Sequence, residues 1–363
     1  MFKFETLWYL HFRSGHDGDD HYNKFDVGRG YLTMKIRPVD WFEPRITLDA
    51  HQDDSGDMKV RLKYLYGKFK IPVETKVLSE PFLEFGIVHM PWLDYEEHIN
   101  WYRSQGTMFM ERNKLFNSAD FGATLGTLLG RKLDKDYQEK VSGKYPGSLG
   151  SMAIGVYNGG GYHALEENSG KSFDGRLSIR PLGRIFPNIQ LSYFFIVGRG
   201  NQPGGDDWDP PEWRNHTFMA SFEHRYVALT GQFVMGKGNQ KGNFTDWATE
   251  FDPVTGEDVV IGIDEVYEFM GASGFLEVKL PQIRSSLFGR FDWFRKEEIN
   301  EDTGTIEDND TMRIIAGYAF HFYKMHKNFV MLDVDYIIPD VDFIFPSGVS
   351  DIWEVKLTLQ IKL

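Results

Sequence analysis

The clearest pattern in this chain is a strict alternation of apolar and polar residues. In residues 351–363 every second residue is apolar: Trp353, Val355, Leu357, Leu359, Ile361 and Leu363. A helix would spread a period of two around its whole circumference, so the pattern predicts a strand. A strand of this length rises by about 3.3 Å per residue and, tilted by about 40–45°, crosses a hydrocarbon layer of roughly 25–30 Å.

The same alternation recurs along the whole chain and predicts 16 strands. They are 2–13, 25–37, 45–52, 58–71, 81–90, 118–131, 149–158, 172–181, 188–199, 215–225, 226–237, 266–279, 284–296, 310–323, 328–338 and 351–363. In strand 58–71 the alternation assigns Val60, Leu62, Tyr64 and Tyr66 to the apolar face, and Lys59, Arg61 and Lys63 to the polar face. An even number of strands is typical of single-chain bacterial barrels.

The connections between these strands fall into two alternating classes. One class is mostly short and marked by proline or basic residues: 38–44, 182–187, 280–283 and 324–327. The other is longer, acidic and rich in glycine: 14–24, 159–171, 200–214, 238–265, 297–309 and 339–350. Both termini fall on the short-turn side. Two connections do not fit: 53–57 is short for the long class, and 132–148 is long for the short class. Outer-membrane barrels have this asymmetry of loops and periplasmic turns.

The sequence therefore predicts an all-β protein, a transmembrane antiparallel up-and-down β-barrel of about 16 strands that forms one domain over residues 1–363. Aromatic residues make up 15% of the chain, yet the mean hydropathy is −0.40. Apolar runs such as 314–320 are shorter than the roughly 20 residues of a membrane helix. A soluble β-sandwich is the alternative, but its strands usually have about 5–6 residues. Because strand-like alternation begins at residue 2, we expect a mature chain whose leader has been removed.

Several segments resemble the phosphate-selective porin O/P family. They are 82–91, 109–113, 119–130, 152–161 and 175–181, with Met152-Ala-Ile-Gly-Val-Tyr-Asn-Gly-Gly-Gly161 as the best match. The resemblance implies a 16-stranded barrel, commonly a homotrimer, whose third outer loop folds into the lumen, here at about 91–117. Phosphate-selective members line their constriction with Arg and Lys. This chain instead has Asp94, Glu96 and Glu97 in the loop, so phosphate specificity does not carry over.

The inserted loop supplies our candidate residues for a pore constriction: Asp94, Glu96, Glu97, Trp101, Tyr102, Arg103 and Arg112. Carboxylates that face arginines across a narrow water path produce a transverse field that screens polar solutes. The alternative is that the loop packs against the wall and buries its aromatic residues. A loop that enters a barrel needs polar residues towards the water path and aromatic residues against the wall, so the sequence leaves the choice open.

A set of basic residues is predicted to point into the lumen: Lys35, Arg37, Arg45, Lys59, Arg61, Lys63, Arg176, Arg180, Arg290 and Lys356. Such a set could attract anions into the pore. Alternatively, these residues pair with Asp49, Asp174, Asp292, Asp333, Asp335 and Glu354 in a lumen of mixed charge, and we favour that interpretation over strict selectivity.

These features favour an outer-membrane porin, a passive channel for small hydrophilic or charged solutes, located in the bacterial outer membrane. The alternative function is a structural or receptor barrel that binds a surface partner through its long loops, such as 238–265. Expected partners are membrane lipid, lipopolysaccharide and solutes or ions, whereas a net charge of −13 disfavours nucleic acid. We expect no enzyme activity, cofactor or metal, and interpret the 16–21 segment, with His at both ends, as a solvated loop.

Overall fold

The computed structural model describes residues 1–17, 20–53, 55–252, 256–300, 305–339 and 352–363. Its strands are β1 (Phe2–Asp17), β2 (Asp20–Ile36), β3 (Phe42–Gln52), β4 (Met58–Lys70), β5 (Leu78–His89), β6 (Ala119–Leu129), β7 (Gly150–Tyr157), β8 (Ser172–Ile179), β9 (Ile189–Arg199), β10 (Glu212–Glu223), β11 (Val227–Lys237), β12 (Thr245–Asp252), β13 (Glu257–Val266), β14 (Glu268–Leu280), β15 (Ser285–Asn300), β16 (Thr305–Tyr323), β17 (Asn328–Pro339) and β18 (Ile352–Lys362). Short helices are α1 (Leu93–Glu96), α2 (Phe109–Arg112), α3 (Lys135–Lys140) and the 3-10 turns Arg103–Gln105 and Pro281–Ile283. In the described part of the chain, no helix is long and apolar enough to cross a membrane.

Sixteen of the strands form one closed antiparallel barrel. Each strand pairs with its neighbours in sequence, except that β11 pairs with β14 and β1 with β18. The prediction of a closed 16-stranded barrel is confirmed. Closure leaves no unpaired sheet edge, as a strand structure inside a bilayer requires.

The two faces of the wall match the predicted alternation. Outward residues such as Phe4, Leu177 and Leu357 are exposed, whereas inward residues such as Asp174 and Lys356 are buried. Because inward and outward residues alternate without a break over most strands, the outward apolar residues form a continuous belt around the barrel. We call these residues the apolar belt.

One register irregularity reverses part of β4. Thr47 pairs with Tyr64 and Leu48 with Leu62, so Lys63 is an extra residue in the ladder. Such a bulge places two successive residues on one face. Lys63, Tyr64 and Tyr66 are all buried inside the barrel, and Leu65 is exposed instead. The prediction that Tyr64 and Tyr66 lie on the apolar outer face is therefore wrong.

Three predicted loops contain more strand than expected. Segments 14–24 and 297–309 are largely extensions of β1, β2, β15 and β16, and loop 238–265 contains the separate hairpin β12–β13. Cross-strand ion pairs support these extensions, since Arg295 lies 2.9 Å from Asp308 and 2.7 Å from Asp310. Most of the predicted loop 339–350 lies outside the described residues.

We call the end of the barrel that carries both termini the turn end, and the opposite end the loop end. The turn end has connections 37–41, 71–77, 130–149, 180–188, 224–226, 281–284 and 324–327, of which 130–149 is the longest. From the loop end, connection 90–118 enters the barrel. We call residues 90–118 the inserted loop.

Candidate functional site

The inserted loop packs against one side of the barrel interior. Its side chains Met90, Trp92, Leu93, Met108, Phe109, Met110 and Leu115 have no exposed surface. They share one apolar cluster with inward residues of β9–β11 and β14, among them Phe194, Ile196, Trp213, Val234 and Phe269. The indole of Trp92 stacks on Phe194 at a ring-centroid distance of 5.3 Å. Water is therefore excluded from this half of the lumen.

Glu96 lies within the packed half and not beside a water-filled space. Its carboxylate accepts hydrogen bonds from Nε1 of Trp92 (3.0 Å) and from Nε2 of Gln232 on β11 (2.8 Å). Burial raises the pKa of Glu96 to about 7, although Arg290 and these two donors favour the ionised form. The structure thus brings Glu96 to the wall, where it cannot face a solute as the constriction hypothesis required.

Trp101 and Tyr102 also contact the wall, near the turn end. The phenol of Tyr102 donates to Oε1 of Glu277 on β14 (2.7 Å), and its ring stacks on Phe288 at 4.4 Å. Trp101 stacks on His326 at 5.2 Å with nearly parallel rings. These contacts fasten the inserted loop to the wall at a second place, about ten residues after Trp92.

Glu277, His321 and His326 are the one group of possible metal ligands found among the described residues, with donor atoms within 4.8 Å of one another. The backbone N–H of His326 donates to Nδ1 of His321 (3.1 Å), which leaves the ring proton of a neutral His321 on Nε2. A metal on Nε2 would have to displace that proton. Because Nε2 of His326 lies 2.6 Å from Glu277, we interpret the group as a hydrogen-bonded anchor for Tyr102.

The remaining candidate residues of the inserted loop form ion pairs. Arg103 pairs with Glu97 and, at 2.5 Å, with Glu111 of the same loop. Arg112 pairs with Asp292 on β15 at 3.1 Å. Of the seven candidates, Asp94, Glu97 and Arg103 border the cavities described below.

The predicted basic residues divide into paired and unpaired groups. Arg61 lies 3.1 Å from Asp49, Arg290 lies 2.9 Å from Asp292, and Lys356 lies 3.3 Å from Asp333. Lys35, Arg37 and Lys59 pair with Glu5, Glu43 and Asp53. The carboxylate of Asp174 is buried without a basic partner in the described part of the chain.

Four of the predicted basic residues, Arg45, Lys63, Arg176 and Arg180, have no carboxylate within 4.0 Å among the residues described. Arg176 donates to the carbonyl of Pro91 (2.9 Å), and Arg180 to that of Gly147 (3.1 Å), so both hold loops. Arg45 lies over the ring of Tyr64 and Lys63 over that of Tyr31, at 4.6 and 4.7 Å. Aromatic rings stabilise these two cations without neutralising them.

Three adjoining cavities lie along the side of the inserted loop that is not packed against the wall. An outer cavity of about 400 Å³ lies near the loop end, a middle one of about 260 Å³ follows, and an inner one of about 650 Å³ opens at the turn end. The outer and middle cavities share Tyr9 and Arg103. The middle and inner cavities share Arg45, Asp94 and Lys144, among others. We call this series of cavities the passage.

Sequence reasoning missed several residues of the passage. His89 lies 3.2 Å from Arg45 and stacks on Tyr64 at 4.1 Å. Lys144 and Tyr145 come from connection 130–149 and bind Asp94, Lys144 through an ion pair and Tyr145 through a 2.5 Å hydrogen bond. The unusual length of segment 132–148 for a turn-end connection was the available signal.

No protein-family model and no curated protein sequence matches the chain. Solved structures of outer-membrane proteins do. OmpF of Salmonella typhi, solved with daunomycin, is 11% identical with a TM-score of 0.62, covering 100% of this chain and 97% of that one. An OmpT mutant of Vibrio cholerae lacking loop L8 is 11% identical with a TM-score of 0.59, covering 100% and 99%. The anion-selective porin of Comamonas acidovorans is 8% identical with a TM-score of 0.56, covering 100% and 98%. The chain therefore has the porin fold.

Proposed function

We propose that the chain is an outer-membrane channel through which small hydrophilic solutes diffuse. The observation that carries this proposal is the passage, because adjoining cavities run from the loop end to the turn end and share their lining residues. The exposed apolar belt supports location in the outer membrane, with the loop end outside the cell. The fold also supports a homotrimer, since a trimer form of Vibrio cholerae OmpT has it.

We further propose that the passage prefers anions. Six basic side chains and three carboxylates line the middle cavity, although the chain as a whole carries a net charge of −13. Arg45 and Lys63, which have no carboxylate within 4.0 Å among the residues described, both border this cavity. Charges at a narrow place surrounded by protein act more strongly than charges in bulk salt.

The resemblance to phosphate-selective porins supports anion preference but not phosphate specificity. The basic residues beside the passage fit an anion channel, while the paired carboxylates Asp94 and Glu97 do not favour phosphate over other anions. We therefore propose small organic and inorganic anions as a class.

A planar-bilayer recording tests the proposal. Purified protein should insert in steps of ohmic conductance, and in a KCl gradient the reversal potential should have the sign of chloride preference. The matched variant is Arg45→Gln, which removes an unpaired cation, compared with Arg225→Gln at the turn 224–226. Insertion without conductance would support the receptor or scaffold alternative, in which the hairpin β12–β13 binds a partner.

A further inference from the structure

Connection 130–149 is a folded element and not a simple turn. Asp134 caps α3, because its side chain accepts the backbone N–H of Tyr137 at 2.8 Å. The phenol of Tyr137 is buried and donates to the carbonyl of Pro187 on the neighbouring connection (3.2 Å). Arg180 donates to Gly147 at the other end of the connection. The connection is thus fixed to the wall at both ends.

This fixed connection reaches into the barrel and meets the inserted loop. Lys144 forms an ion pair with Asp94, and Tyr145 donates to the same carboxylate at 2.5 Å. The ring of Tyr145 lies 5.6 Å from that of Tyr95 and 4.7 Å from the guanidinium carbon of Arg176. Two connections that start at opposite ends of the barrel are therefore joined at one carboxylate.

The junction lies at the edge of the passage. Asp94 and Lys144 both line the middle and the inner cavities, so a solute that moves between the cavities passes them. His89 lies 3.8 Å from Asp94. Burial opposes the ionisation of Asp94, but Lys144 and the two nearby histidines hold its pKa well below the usual value. An ionised carboxylate at this place would repel anions unless a cation stood beside it.

We propose that Lys144 is a specificity-determining residue of the passage: its ammonium neutralises Asp94 between the middle and inner cavities and leaves cations such as Arg45 and Lys63 to set the sign of the field. This inference rests on the proposed channel function. It assigns the selectivity of the passage jointly to the inserted loop and to a connection from the turn end.

Lys140 provides a matched control on the same connection. It lies on α3, is about half exposed, and pairs with Asp136 one helical turn away. Lys140 does not line any of the three cavities of the passage. Loss of the Lys140 charge changes the total charge of the protein by the same amount as loss of the Lys144 charge.

The test is reversal potential in a KCl gradient for the full chain, with Lys144→Gln and Lys140→Gln compared. We expect Lys144→Gln to lower the chloride-to-potassium permeability ratio by roughly twofold or more, because a charge in a narrow pore is poorly screened. Lys140→Gln should leave the ratio unchanged. The double variant Asp94→Asn/Lys144→Gln should return close to the wild-type ratio, although it lacks the tie between the two connections.

A second measurement works even if Lys144→Gln assembles poorly. The chain has no cysteine, so Lys144→Cys can be treated with a cationic methanethiosulfonate reagent, and the ratio of the same channel is recorded before and after. Restoration of anion preference at position 144, and no change at Lys140→Cys, is the expected result. Equal behaviour at the two positions, or a double variant that stays as cation-preferring as Lys144→Gln, overturns the inference. Absence of wild-type conductance would instead overturn the proposed function.

Discussion

The two halves of the barrel interior use inward-facing residues in opposite ways. On the packed side, β9–β11 and β14 present apolar residues such as Phe194, Trp213 and Val234, and the inserted loop covers them. On the open side, β1–β4 present Tyr9, Lys35, Arg45 and Lys63 to the passage, together with β5 and β18. The position of the passage therefore follows from where the wall is apolar inside. The passage lies in the half whose inward side chains offer hydrogen bonds and charges.

The inserted loop is held on the packed side mainly by apolar contact and not by ion pairs. Apolar contact holds the loop, and its buried carboxylate Glu96 is satisfied by two N–H donors and not by a basic partner within 4.0 Å in the described residues. On the open side, charges pair with carboxylates, as Lys35 does with Glu5, or lie over aromatic rings, as Arg45 and Lys63 do. We therefore expect substitution there to change the field more than the stability.

The largest effect is expected from removing a packed-side aromatic ring. Trp92→Ala should destabilise docking of the inserted loop by about 3–5 kcal/mol, the usual cost of deleting a buried large ring. The freed loop should make single-channel current noisier and alter its step size, which a bilayer recording measures. Trp41→Ala is the control, because Trp41 is 57% exposed at the turn end. Identical traces for the two variants would mean that the apolar cluster does not hold the loop.

A pH effect of intermediate size should come from Glu96. Its pKa is raised from 4.5 to about 7 in the folded protein, so the folded state binds the proton more tightly than the unfolded state. Stability should therefore be highest below pH 4.5 for this group and fall as pH rises towards 7, by up to about 3 kcal/mol. Thermal unfolding in detergent at pH 5 and pH 8 measures the fall.

Glu96→Gln is the matched variant for this experiment, since its amide stays neutral at both pH values. Its single oxygen can accept only one of the two hydrogen bonds, so each protein is compared with itself at the two pH values. The variant should lose less stability than the wild type between the two pH values. If both proteins change equally, Glu96 titrates normally and the packed side is wetter than the structure indicates.

The smallest effect is expected far from both halves. Glu297 and Glu298 lie near the loop-end tip of β15, where salt screens their charges. Replacing both with Gln should shift the reversal potential less than Glu97→Gln alone, because Glu97 lines the middle cavity. The contrast should diminish at 1 M salt. If the Glu297 and Glu298 substitutions shifted the reversal potential as far as Glu97→Gln, charges in the passage would not differ in effect from charges at the loop end.

Alternation with a period of two was sufficient to predict the barrel, its strand number and most strand faces. The reason is that the outer face of each strand meets lipid and the inner face meets the polar lumen. Alternation could not locate the bulge at Lys63, since one extra residue changes the face without changing composition. It also missed the hairpin β12–β13 and the fold of connection 130–149, both of which depend on contacts between distant segments. The role of Glu96 was missed for the same reason: Gln232, its partner, is on β11.

A signal for the packed side was nevertheless present in β9. There the outward residues Leu191 and Val197 are apolar, and so are the inward residues Phe194 and Ile196. A strand that is apolar on both faces inside a water-filled barrel needs a cover. Strands with this composition therefore identify where an inserted loop docks.

The pairing of β1 with β18 has a consequence for the order of assembly. Leu7 lies opposite Lys362, and the amide of Thr6 donates to Leu363 at 3.0 Å, so this seam joins residues from the two ends of the chain. Ring closure must therefore wait until the final strand has been synthesised, and contacts of such sequence separation form slowly. The inserted loop docks on β9–β11, β14 and β15 and on connection 324–327, all of which precede β18. We expect it to reach its place through the side of a still-open sheet, before the seam closes over it.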